Sequence, residues 1–224
     1  LLELVQGCAG SCKTSYMLYR GLQFGEAACH PDTCRALQLG LSPGQSVNVL
    51  LLTKTGSVTA EIEGRLKVAL GLPVQSFANH SVLEVSNTTE SGVPILFRDS
   101  SVQPANSVSI SANRSANCSA NHMVLTIANF DAWVHHQLHI LHEQHPSVSI
   151  PVPEGDQFHQ KLKTLSEWVN TVHCDCIYSK TGPSETSVAH YVAVDEYQDI
   201  PSPYIRILCA IQQNALRRNQ DDAN

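Results

Sequence analysis

The chain has 224 residues and a formal net charge of −6, from 14 basic and 20 acidic side chains. Hydrophobic residues make up 42% and charged residues 15%, which excludes a disordered polyelectrolyte and leaves one large domain, or one and a half, with a core to bury. The acidic balance also excludes nucleic-acid binding through bulk positive charge, so any such contact has to come from local geometry.

In chain order, Leu1–Val5 is apolar and reads as a strand, too short for a signal peptide. It leads into a glycine-containing loop and then a helix from Ser15 to Leu22, with Met17, Leu18 and Leu22 on its inner face. Residues 25–44 read as loop or short helix. Val47–Leu52 is continuously apolar, as a buried parallel strand is. Thr59–Leu70 is an amphipathic helix with Ile62, Leu66 and Ala69 inward and Gly71 just past its end. Residues 85–121 turn to Ser, Asn, Thr and Pro, the composition of a flexible loop or insertion.

Val124–Ile127 reads as a short strand and Phe130–His142 as a helix ending near Pro146. A helix follows from Phe158 to Val172. Tyr191–Val194 is a strand ending in Asp195 and Glu196, and Tyr204–Leu216 is a helix preceded by Pro201 and Pro203. Strands alternating with helices predict an α/β domain with a mostly parallel sheet. No apolar run reaches ~18 residues, so no membrane span is expected. With no secretory signal, the eight cysteines read as mostly reduced thiols of an intracellular protein, nuclear or cytoplasmic.

Two segments carry chemistry. Gly7-Cys8-Ala9-Gly10-Ser11-Cys12-Lys13-Thr14 nearly matches G-x-x-x-x-G-K-[ST]. In such a loop consecutive backbone N–H groups face phosphate oxygens, the lysine reaches the outer phosphates, and the hydroxyl holds Mg²⁺. Ser15 opens the helix whose N-terminal dipole favours an anion. Cys12 replaces the glycine of the pattern, and its Cβ and sulfur crowd the turn. The second segment is Asp195-Glu196-Tyr197-Gln198-Asp199. A carboxylate at the tip of a strand can face the loop: Asp195 would bind Mg²⁺, Glu196 would polarise water, and Gln198 would sense the terminal phosphate.

Together these two segments resemble superfamily 1 helicases of the UvrD/Rep type, whose motifs read A-G-x-G-K-T and V-D-E-x-Q-D. Leu52-Thr53-Lys54-Thr55, continuing through Glu61 to Arg65, resembles the family's T-F-T-N block, and Leu125–Phe130 resembles its T-x-x-S-F block. The resemblance implies the first RecA-like, P-loop NTPase domain of a DNA helicase with ATP and Mg²⁺ as cofactors. Residues 1–84, 122–130 and 186–224 would form that domain, 85–121 a loop, and 131–185 an inserted helical subdomain. It further implies that Thr53, Lys54, Thr55, Thr126 and Phe130 lie along single-stranded DNA, with RNA not excluded. Lys54 stands where the family has a stacking aromatic. A buried helix face remains the alternative for Phe130 and Trp133. The family's second RecA-like domain would be a partner, and this stretch alone is expected to hydrolyse ATP slowly or not at all.

The rival reading is a degenerate P-loop domain serving as a nucleotide-binding or protein-interaction module, favoured by Cys12 and Lys54. A phosphate-loop kinase is a third, disfavoured by Gln198 and the long insertion. His173-Cys174-Asp175-Cys176, the histidines at 135, 136, 139, 142 and 145, and the pair Cys29 and Cys34 do not complete a four-ligand zinc set, and read as surface histidines and free thiols. Lys161 and Lys163 read as a solvated helix face.

Overall fold

The computed structural model describes residues 13–29, 37, 41, 46–70, 75–77, 80–85, 122–151, 158–180, 186–196 and 200–221. The strand expected at Leu1–Val5 lies outside the described residues, as does the loop expected over 85–121 except for Val85, which instead ends a strand. The elements run α1 (Lys13–Cys29), β1 (Ser46–Thr53), α2 (Gly56–Leu70), β2 (Gln75–Phe77), β3 (His80–Val85), β4 (His122–Asn129), α3 (Phe130–Gln144), α4 (Phe158–Thr171), β5 (Tyr178–Lys180), β6 (Thr186–Val188), β7 (Tyr191–Val194) and α5 (Ser202–Asp221).

β1 lies inside a five-stranded sheet of order β2-β3-β4-β1-β7. It pairs in parallel with β4, Ser46 opposite His122 through Thr53 opposite Asn129, and in parallel with β7, Val49 opposite Tyr191 through Leu52 opposite Val194. β3 and β2 extend the sheet antiparallel beyond β4. β5 and β6 form a separate antiparallel pair.

The apolar run of β1 is divided by the period-2 alternation of a strand. Val47, Val49 and Leu51 pack with Leu18 and Leu22 of α1, Ile62 and Leu66 of α2, and Met123, Leu125 and Ile127 of β4. Leu50 and Leu52 point the other way, into a cluster with Trp133, Leu138 and Leu141 of α3, Leu162, Leu165 and Trp168 of α4, and Tyr204, Ile207 and Ile211 of α5. The result is an α/β/α arrangement, with burial of each large side chain contributing about 1.5–3 kcal/mol. The segment expected as an inserted helical subdomain supplies α3, α4 and β5, and shares its apolar cluster with β1 and α5.

Helix starts follow local chemistry. Asn129 caps α3, its side chain accepting from the Ala132 N–H at 2.8 Å, with Asp131 in the first turn. Thr55 starts α2, accepting from the Val58 N–H through Oγ1 at 3.4 Å and from the Thr59 N–H through its carbonyl at 3.2 Å. α1 runs seven residues past the expected Leu22, because Gly21 and Gly25 let the helix lie close on β1. A Cβ on Gly21 would stand 3.3 Å from both Leu51 and Val49. Lys163 is exposed as expected, but Lys161 is 5% exposed. Its stem joins the buried face of α4 and its Nζ stands 3.8 Å from Asp131, a correction that a long amphipathic side chain explains.

Candidate functional site

The three parallel strands end on one edge of the sheet. β1 runs out into Lys54 and Thr55, β4 into Asn129, and β7 into Asp195 and Glu196. In open α/β sheets ligands bind outside this carboxyl edge. The Asp195 N–H donates to the Leu52 carbonyl at 2.9 Å, which continues the β1–β7 ladder one residue further and fixes where the carboxylate sits.

α1 begins at that carboxylate. The Thr14 hydroxyl stands 3.1 Å from Asp195 Oδ1 and 3.0 Å from Oδ2, a shared bond between residues 181 apart in the chain. The Glu196 N–H donates to Oδ1 at 3.1 Å. Asp195 is only 4% exposed. Burial pushes its pKa up from the ordinary value; the Thr14 hydroxyl opposes this, the neighbouring Glu196 charge adds to it, and the nearby Lys13 ammonium opposes it. Glu196 itself adopts φ 49°, the left-handed region a side chain rarely takes, and such strain persists only where surroundings enforce it. The first turn of α1 holds no acidic residue, so its N-terminal partial charge is not neutralised from within that turn.

Of the other residues expected in the nucleotide site, Gly7, Cys8, Ala9, Gly10, Ser11, Cys12 and Gln198 lie outside the described residues. Ser15 is exposed and accepts a hydrogen bond from Arg65 Nη1 at 3.1 Å. Arg65 reaches across from α2, where it also pairs with Glu61 one turn away. The Glu61–Arg65 spacing was visible in the sequence as an i,i+4 pair; its link to α1 was not.

The residues expected along a nucleic-acid strand divide in two. Lys54 and Thr55 are exposed at the carboxyl edge. Thr53, Thr126 and Phe130 are 0%, 1% and 3% exposed, so as placed they offer a strand almost no side-chain surface. Thr53 Oγ1 lies 2.7 Å from Thr59 Oγ1 and within reach of the Thr55 carbonyl at 3.2 Å, a buried hydroxyl network that holds the turn carrying Lys54. Phe130 packs edge-on against Tyr204 at 4.8 Å and Trp133 at 6.2 Å, following the buried-face alternative.

At the opposite end of the sheet, the Asn48 N–H donates to His190 Nδ1 at 2.9 Å and the His190 N–H donates to the Asn48 carbonyl at 2.8 Å. Cys174, Cys176 and Cys209 are free thiols. Burial raises the Cys174 pKa, and burial together with Asp175 pushes Cys176 up to about 12, which disfavours the thiolate a metal would need. Among the described residues no group of three or more His, Cys, Asp or Glu side chains is placed to hold a metal ion, and no helix is long and apolar enough to cross a membrane. No protein-family model, curated protein or solved structure matches the chain.

Proposed function

We propose that this chain is a RecA-like P-loop domain that binds Mg²⁺-ATP, and that it belongs to the motor of a UvrD/Rep-like helicase. The observation that carries the reading is the Thr14 hydroxyl lying against both oxygens of the buried Asp195 carboxylate at the carboxyl edge of a parallel sheet. A chance pair of motifs 181 residues apart has no reason to meet in this way. The donor set fits a hard cation, because hydroxyl and carboxylate oxygens suit Mg²⁺.

Mg²⁺-ATP supplies the phosphoryl group and the cation that spreads its charge. Lys13 and the N-terminus of α1 attract the phosphates. Thr14 and Asp195 would hold the metal, which would supply charge neutralisation at the phosphates. Glu196, next to Asp195 and partly exposed, orients water and accepts its proton at the side-chain carboxylate. Lys54 and Thr55 offer an exposed cation and hydroxyl to a nucleic-acid backbone on the same edge, in place of base stacking.

The alternative, a lapsed phosphate-loop module that has lost nucleotide, rests on Cys12 at the glycine position. Titration of the native chain, Lys13→Ala and Cys12→Gly with a fluorescent ATP analogue in Mg²⁺ decides between them. Lys13→Ala is expected to weaken binding roughly ten- to hundredfold, since a charge-assisted bond contributes about 1.5–3 kcal/mol. Cys12→Gly is expected to tighten it. Indifference to both substitutions overturns the nucleotide reading, whereas binding that emerges only in Cys12→Gly establishes the lapsed module.

A further inference from the structure

We infer that His135 and His139 form a bidentate site for a divalent first-row transition-metal cation on the outer face of α3. Both side chains are exposed and lie one helical turn apart. Their Nε2 atoms face each other at 3.2 Å, with the rings nearly perpendicular at 84°. Imidazole nitrogens bind Zn²⁺ at about 2.0–2.1 Å, so two nitrogens at this separation subtend about 100° at a shared cation. That lies between the cis angle of an octahedron and the angle of a tetrahedron, so the nitrogen separation suits a shared cation once the rings turn their lone pairs towards it. The helix supplies the preorganisation, because residues four apart share a face.

Imidazole selects Zn²⁺, Ni²⁺ or Cu²⁺ over Mg²⁺ or Ca²⁺, which prefer oxygen. Two protein ligands leave the remaining positions to water, in keeping with the lack of a third ligand in place among the described residues. His142 shares the same face two turns on, but its ring stands edge-on to Trp168 at 6.1 Å. The cysteines of the His173–Cys176 stretch do not compete as thiolates, since burial holds Cys174 and Cys176 protonated. The site lies on α3, away from Thr14 and Asp195 in the chain, and does not depend on the nucleotide reading.

The test uses the full chain titrated calorimetrically with Zn²⁺ and with Ni²⁺, Mg²⁺ serving as the oxygen-preferring control. Because the chain holds 11 histidines and 8 cysteines, the readout is a difference between variants. His135→Ala and His139→Ala are each expected to remove the same single equivalent, with affinity at that step falling at least tenfold. His159→Ala, an exposed histidine on α4, is expected to keep it. Because both target side chains are exposed, far-ultraviolet circular dichroism should stay native in every variant. As a second readout, substoichiometric Ni²⁺ should broaden the proton resonances of both imidazoles together. A full complement of equivalents in His135→Ala and His139→Ala, or broadening of neither ring, overturns the inference and leaves the pair as an imidazole–imidazole hydrogen bond.

Discussion

Replacing Asp195 with asparagine separates charge from shape at the centre of the proposed site. Asparagine keeps an acceptor for the Thr14 hydroxyl and nearly the same volume, but removes a negative charge from a position 4% exposed. Two opposed effects act on that charge in the native chain. Burial raises the carboxyl pKa above 3.8, and the Thr14 hydroxyl is the main influence opposing it. A hydrogen bond to an ionised acceptor contributes about 1.5–3 kcal/mol and a neutral one about 0.5–1.5, so the exchange forfeits about 1 kcal/mol. The net upward shift of the carboxyl shows that desolvation outweighs the Thr14, Glu196 N–H and Lys13 contacts that favour the charge, and the asparagine is spared that desolvation. Asp195→Asn is therefore expected to stabilise the nucleotide-free chain by about 1 kcal/mol at neutral pH, a Tm rise of roughly 2–4 °C at this chain length. Mg²⁺-dependent ATP binding should be lost in the same variant. A raised carboxyl pKa contributes stability that is fully present below 3.8 and is lost as pH rises through the folded value, so the advantage of the variant should grow with pH. Thr14→Val, which removes the opposing hydroxyl, should instead lower Tm, and by less in the Asp195→Asn background. Thermal melts across roughly pH 4 to 8, paired with nucleotide titration, read both properties. A Tm below native at every pH would make Asp195 a net stabilising structural group and refute the reasoning.

His190 titrates with the opposite sign. Burial lowers its pKa below 6.5, and only the neutral ring can accept the Asn48 N–H at Nδ1. Its contribution is complete above pH 6.5 and is lost as pH falls from there towards the folded value, so His190→Gln should flatten the stability–pH curve in that window. An unchanged slope would remove His190 from the account. Gly25→Ala should cost about 1–3 kcal/mol by overpacking, because the new Cβ would overlap Met123 Sδ and stand 2.8 Å from Met123 Cγ and 3.2 Å from Val49 Cγ2. Chemical denaturation measures it, and a neutral result would mean that α1 can lift from the sheet without loss.

The continuous apolar run of β1 and the helical spacing of α2, α3, α4 and α5 were legible because burial on two faces, or along one stripe, leaves a local period. The Lys13-Thr14 and Asp195-Glu196 segments stood out as a motif pair by residue type and order, and the structure brings Thr14 of one against Asp195 of the other. β2, β5 and β6 were not foreseen, because a three-residue strand carries too little pattern and its identity lies in its partner; six-residue β3 was not foreseen either. The length of α1 was missed for a related reason. Gly21 and Gly25 weaken a helix locally, and only the nearness of Val49, Leu51 and Met123 makes their small size an advantage.

The sequence by itself determined where the two motif segments lie and which stripes had to be buried, since both are properties of side-chain type and spacing. Tertiary structure alone decided that Thr14 meets Asp195, that Thr53, Thr126 and Phe130 turn into the core while Lys54 and Thr55 stay outside, and that two histidine nitrogens come within 3.2 Å. The physical reason is that contact between residues 181 apart is set by strand register and helix docking, which sum many weak packing terms over the whole chain.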